Sequence, residues 1–147
     1  ARDAGVPVIF VNNHHDRWTD SPAWPVDGPR GCVTGTWGAE FYRIRPAAGE
    51  PVVIKRRHSG FYGTDLAVIL RTLGRRTVLL SGVATNVCVE STARDAVMRD
   101  YDVVLVEDCA GAASREEHEA TCRNVARHIG QVVASRRLLS CWAGRPD

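Results

Sequence analysis

Five short apolar runs, at 8–11, 51–54, 78–80, 103–106 and 131–134, do most to limit what this chain can fold into. They are rich in β-branched residues and lack the alternation of a half-solvated strand. Each therefore predicts a strand buried on both faces of a parallel sheet. Parallel neighbours need crossover connections, and the segments between the runs supply them. Residues 65–73 place Leu66, Ile69, Leu70 and Leu73 on one helical face before Gly74 stops the helix. Residues 87–99 predict a second helix, with Ala93, Ala96 and Val97 as a packing stripe of small residues. Ser114 followed three residues later by Glu117 is a capping box that opens a third helix over 115–129. Strands alternating with helices of this size give right-handed βαβ units. The expected fold is an α/β, three-layer α/β/α sandwich with a mainly parallel sheet. Its 147 residues are enough for one domain with a real core, expected over 1–147.

Composition narrows the partners. A net charge of +2, with both signs interspersed, points to no particular partner. Lys55-Arg56-Arg57 is the one basic cluster and is too short to read as a nucleic-acid surface. No apolar stretch has bilayer length, and the first residues open no secretory pattern, so no membrane partner is expected. Five widely spaced cysteines, an odd number, argue against a disulfide framework and suggest reduced thiols in the cytoplasm. The opening residues read as the tail of a helix feeding a strand, so an N-terminal piece is expected to be missing.

Residues 17–49 differ from the rest. They hold four of the seven prolines and three of the four tryptophans and show little periodicity, which predicts a functional loop. Trp18, Trp24 and Trp37 could form a contact surface or pack the loop onto its own domain.

The chemistry concentrates at 78–95, VLLSGVATNVCVESTARD. A buried strand ends at Ser81-Gly82, and a polar turn delivers Cys88 to the first turn of the following helix. Ligands of open α/β sheets sit beyond the carboxyl ends of the strands. The free N–H groups and dipole of a helix start favour a thiolate and can hold a developing oxyanion. Thr85 or Asn86 is expected to cap this helix. Lys55 closes the strand at 51–54 and so also lies at a carboxyl end, where its charge could stabilise a thiolate. Taken alone, each residue has a plainer reading: Cys88 as a small buried side chain, Lys55 as a solvated strand end. Cys32, Cys109, Cys122 and Cys141 are assigned to packing.

The motif Gly82-Val83-Ala84-Thr85-Asn86-Val87-Cys88-Val89, followed by Glu90-Ser91-Thr92-Ala93-Arg94-Asp95-Ala96, resembles the isochorismatase-like cysteine hydrolases. The similarity is greatest to the ureidoacrylate and biuret amidohydrolase branch. Gly35-Thr36-Trp37-Gly38-Ala39-Glu40, Lys55-Arg56-Arg57-His58-Ser59-Gly60-Phe61, the run 101–108 and the helix carrying His118 support it. The resemblance implies a hydrolase in which Cys88 is the nucleophile and Lys55 the catalytic lysine. It implies an oxyanion hole from the amides of Ala84 and Cys88, and a cis peptide at Val83–Ala84. His58, Phe61 and Trp37 would line the substrate pocket. The expected reaction is cleavage of a small carbamoyl or ureido amide through a thioester, without a cofactor, by a homo-oligomer (dimer or tetramer).

Two departures from the family pattern stand out. Its third catalytic residue is an aspartate in a stretch resembling "DMQNDF" after the first strand, and no such stretch is present. Asp3, Asp16 and Asp20 stand in other contexts, and none is assigned as the base. That strand is central in the family's sheet, so its absence predicts unpaired edges inside the fold. Nicotinamidases of the superfamily also hold zinc through an aspartate and two histidines, one directly before a cysteine. Here that place reads Arg30-Gly31-Cys32. His14 and His15, adjacent on an extended chain, point in opposite directions and cannot easily share an ion. No metal is expected, and His14, His15 and Asp16 read as polar groups at a strand end. Isochorismatase or nicotinamidase activity, and a folded but non-catalytic chain, are the competing readings.

Overall fold

The computed structural model describes residues 1–21 and 31–144. The expectations for Trp24 and Arg30 lie outside the described residues. Strands form at all five apolar runs: β1 (Phe10–Asn13), β2 (Val52–Lys55), β3 (Thr77–Val83), β4 (Asp102–Gly111) and β5 (Gln131–Val133). Every pairing is parallel. With them stand helices α1 (Leu66–Thr72), α2 (Glu90–Val97), α3 (Arg115–His128) and α4 (Ser135–Ala143). Parallel sheets flanked by these helices make the α/β architecture that the alternating pattern predicts.

The strands form two sheets, ordered β1-β2 and β3-β4-β5. No hydrogen-bonded ladder joins β1 to β3. Between them runs an apolar groove lined by Ile9 and Val11 on one side and Val78 and Leu80 on the other, with Leu138 and Trp142 of α4 beside it. The edges of β1 and β3 face this groove without pairing to each other. Helix α4 is not foreseen at 131–134 and beyond. Its groove-facing residues Leu138, Cys141 and Trp142 follow a three-and-four spacing that could have revealed it.

The core packs mainly on the three-stranded sheet. Leu105 of β4 and Val125 of α3 are fully buried, as are Ala93 and Ala96 of the small-residue stripe on α2. Small side chains let the helix backbone approach the sheet closely. Val97 is only partly buried. The capping box is present: the Ser114 hydroxyl accepts from the Glu117 N–H at 3.2 Å, and the Glu117 carboxylate accepts from the Ser114 N–H at 3.1 Å. Gly130 packs so tightly that a Cβ there would overlap the Val103 carbonyl. Strands β3 and β4 outlast the apolar runs that mark them. Their ladder resumes at Gly82–Ala110 and Val83–Gly111 after a register shift between Leu80 and Gly82, where Gly82 takes a φ of 113° that side-chain-bearing residues rarely adopt.

Within the described part of 17–49, one 3-10 turn forms at Trp37–Ala39, and His15 makes an isolated bridge with Val33. Among the described residues no helix is long and apolar enough to cross a membrane. All five cysteines are free. Cys109 and Cys141 are exposed, which corrects their assignment as packing residues: Cys109 lies beyond the buried part of β4, and Cys141 sits at the open rim of the groove.

Candidate active site

Strand β2 ends at Lys55 and, across the gap between the sheets, β3 ends at Val83. Residues Thr85–Val89 then form a π-helical turn running directly into α2. Within it Val87 and Val89 both donate their N–H groups to the Ala84 carbonyl, at 3.2 and 3.1 Å. Such five-residue spacings are rare and frequently sit at functional sites. Cys88 lies inside this turn, half-buried, and the peptide between Val83 and Ala84 is cis.

Neither expected cap forms. The N-cap position belongs to Ala84, and no side chain bonds there. Thr85 is already inside the turn, one position past that from which a side chain reaches the first N–H groups. Its fully buried hydroxyl instead pairs with His118 Nδ1 of α3 at 3.0 Å. The Asn86 carboxamide oxygen is buried without a partner.

Lys55 is 4% exposed, so its amino group is buried. Burying such a group is tolerable only if its donors are satisfied. Its Nζ donates to Cys88 Sγ at 3.2 Å, to Asn13 Oδ1 at 3.1 Å and to the Arg57 carbonyl at 2.8 Å. Three acceptors match the three N–H bonds of an ammonium. The lysine and cysteine, 33 positions apart and on different sheets, are thus in direct contact. The loop after β2 is tied to the same turn. The Gly60 N–H donates to Thr92 Oγ1 at 2.9 Å, and that hydroxyl donates to the Cys88 carbonyl at 2.7 Å.

The surroundings are cationic. The His58 ring is pushed below its usual range by partial burial, then by the charge of Lys55. His14 is lowered by burial and by Arg56. The Cys122 thiol, against His118 on α3, is pushed up by burial and by the nearby Glu107 and Glu119 carboxylates, which suits an inert role. His14 and His15 do point in opposite directions. His14 Nε2 meets Asn12 at 3.1 Å, and His15 Nε2 meets Asn13 at 2.9 Å, while His15 Nδ1 meets Asp20 at 2.9 Å. Among the described residues no cluster of three or more His, Cys, Asp or Glu could hold a metal.

The remaining expected site residues scatter. His58 is exposed and within electrostatic reach of Lys55. Trp37 is 75% exposed, its ring edge-on to Tyr42. Phe61 stacks on Tyr101 in the core and lines the groove between the sheets, where its ring is buried. Sequence reasoning overlooked Asn13 and Thr92. The available signal for Asn13 was a polar Asn12-Asn13 pair at the carboxyl end of an apolar run.

A model of the isochorismatase domain matches residues 1–137. The chain belongs to the isochorismatase family. Relatives in this family include an uncharacterized isochorismatase family protein, YwoC, of Bacillus subtilis, 40% identical over 82% of the chain and 62% of YwoC. Ureidoacrylate amidohydrolase RutB of Methylorubrum extorquens is 36% identical over 90% of the chain and 61% of RutB. The chain thus spans under two thirds of the length of either relative. Among solved structures, N-carbamoylsarcosine amidase from Thermoplasma acidophilum superposes with a TM-score of 0.75 at 36% identity, over 91% of this chain and 75% of that one.

Proposed function

We propose that this isochorismatase-family chain carries the nucleophilic centre of a cysteine-dependent amidohydrolase acting on a small carbamoyl or ureido amide. The 3.2 Å contact between Lys55 Nζ and Cys88 Sγ carries the reading. The lysine donates directly to the sulfur, and the thiolate is a cysteine's nucleophilic form. The thiolate attacks the substrate carbonyl carbon, and the π electrons move onto oxygen. The N–H groups of Ala84 and Cys88 are assigned to that oxyanion, with Lys55 adding its charge. Collapse breaks the C–N bond, and the nitrogen leaves with a proton as ammonia or amine. Water then cleaves the Cys88 thioester, releasing the acid and restoring the thiol.

A proton donor for the leaving nitrogen is needed. Among the described residues no carboxylate touches Lys55 or Cys88, so that role is assigned to no described residue. His58 is proposed to face the substrate, its neutral ring offering either a donor or an acceptor. The substrate class is supported by two relatives, one named as a ureidoacrylate amidohydrolase and one as an N-carbamoylsarcosine amidase.

The test is a panel of ureido, carbamoyl and nicotinamide-type amides and a vinyl ether, scored by ammonia release and by product mass. Turnover of the ureido or carbamoyl amides, with a Cys88 acyl adduct of matching mass, is expected. Exclusive vinyl-ether cleavage, which releases no ammonia, would place the chain with isochorismatases instead. Full turnover by Cys88→Ala would remove the nucleophile assignment.

A further inference from the structure

We propose that Asn13 is a positioning residue for the Cys88 centre and that the His15–Asp20 pair sets the direction in which its amide faces. The inference rests on Cys88 being the nucleophile. It starts from strand register: in the β1–β2 ladder Asn13 stands directly opposite Lys55, both at carboxyl ends. A lysine ammonium is a point charge on a flexible four-carbon stem, so its direction is set by whatever accepts its protons. Apart from the sulfur, the acceptors are one backbone carbonyl, that of Arg57, and one side chain, that of Asn13. Asn13 is thus the side chain that fixes where Lys55 points.

A carboxamide can do this in only one of its two orientations. Oδ1 accepts and Nδ2 donates, whereas the ammonium can only donate. Turned over, the amide would set donors against donors. What holds it the right way round is the group on its far side. Nδ2 lies 2.9 Å from His15 Nε2, which must therefore accept. That requirement places the ring proton on Nδ1, 2.9 Å from Asp20 Oδ1. The imidazole and carboxylate of this pair are largely buried, at 16% and 9% side-chain exposure. Donors and acceptors thus alternate without conflict: Lys55 gives to Cys88 and to Asn13, Asn13 gives to His15, and His15 gives to Asp20. Linked hydrogen bonds of this kind polarise one another and fix a single arrangement.

The strand contains its own control. Asn12 makes a similar bond to His14 at 3.1 Å, but its amide nitrogen donates to the Ala39 carbonyl at 2.8 Å and has no link to Lys55. Losing Asn12 perturbs the strand without touching the lysine.

The experiment follows alkylation of each cysteine by iodoacetamide in the native protein at neutral pH, resolved by peptide mass, with exposed Cys109 as internal reference. It needs no turnover. Asn13→Leu is expected to slow Cys88 by about tenfold while Cys109 is unchanged. Asn13→Asp, which keeps an acceptor facing Lys55, restores most of the rate, and Asn12→Leu leaves it at the native value. His15→Leu, which frees the amide to turn, slows Cys88 by about threefold and keeps the test open if Asn13→Leu does not fold. Native-rate alkylation in Asn13→Leu, or in His15→Leu where that variant alone folds, would overturn the proposal, as would Asn13→Asp reacting as slowly as Asn13→Leu. A native Cys88 reacting no faster than Cys109 would instead overturn the nucleophile reading, so the two failures are distinguishable.

Discussion

Two contacts between the β1-β2 and β3-β4-β5 sheets could hardly differ more. At the carboxyl ends of the strands the connection is polar and directional: Lys55 reaches Cys88, and Gly60 is tied through Thr92 to the Cys88 carbonyl. Along the strands it is an apolar groove, where Ile9 and Val11 stand across from Val78 and Leu80 and no ladder hydrogen bond crosses. Apolar contact is non-directional and tolerates small displacements. A buried ammonium with three matched acceptors does not. The relative placement of the two sheets is therefore specified at the point where chemistry depends on it, by bonds that belong to the site itself.

Removing the polar link should have the largest effect. Lys55→Met replaces the ammonium with an apolar chain of similar length. It is expected to lower kcat on the amide found in the substrate panel by about 10²- to 10³-fold, with the thermal midpoint little changed. A mutant that loses fold and activity together would show the contact to be structural first. Leu105→Ala tests the opposite side of the comparison, deep in the three-stranded sheet. It should cost about 2–5 kcal/mol in urea unfolding while leaving kcat intact in the folded fraction.

Thr92→Val lies between these two. Its hydroxyl serves both sheets, so the swap leaves the Gly60 N–H without its acceptor at nearly constant volume, costing about 1–3 kcal/mol. It should also slow Cys88 alkylation, whereas an unchanged rate would mean the loop after β2 is held by packing alone. The smallest effect is at the surface. The Glu50 carboxyl is pulled from 4.5 to about 2 by the hydrogen bond from Arg2, then by the Ala47 N–H and the Arg2 charge. A depressed carboxyl stabilises the fold above its unfolded value, and that contribution fades as pH falls from 4.5 through about 2. Native protein and Arg2→Gln should differ slightly in thermal midpoint at neutral pH and converge in strong acid.

Much of the fold is legible in the sequence, and particular residues show why. The β-branched runs locate β1 to β5, but burial on both faces is not found for all of them: β2 buries only Val53 and Lys55, and Val52 and Ile54 are exposed, as is Val11 of β1. They under-report β3 and β4, which run past the apolar residues into a register shift and resume pairing at Gly82–Ala110 and Val83–Gly111, because backbone pairing does not depend on hydropathy. The capping box at Ser114 is read correctly because its partners are three residues apart. The cap expected at Thr85 is not, because its hydroxyl's better partner, His118, lies 33 positions along the chain. Helix α4 carries a readable spacing at Leu138, Cys141 and Trp142, and its apolar face is explained only by the groove it meets.

The sequence by itself determined the α/β class, the placement of Lys55 at a strand end and of Cys88 in the turn after one, and the family to which they belong. Each of these follows from local patterns: hydropathy, turn chemistry, and a contiguous motif. Only the tertiary structure decided that Lys55 is buried with its three protons shared among Cys88, Asn13 and Arg57, and that Phe61 belongs to the core. The reason is the same in each case. A buried charge or ring takes its partners from whatever the strand register brings alongside, and register is a property of the folded sheets.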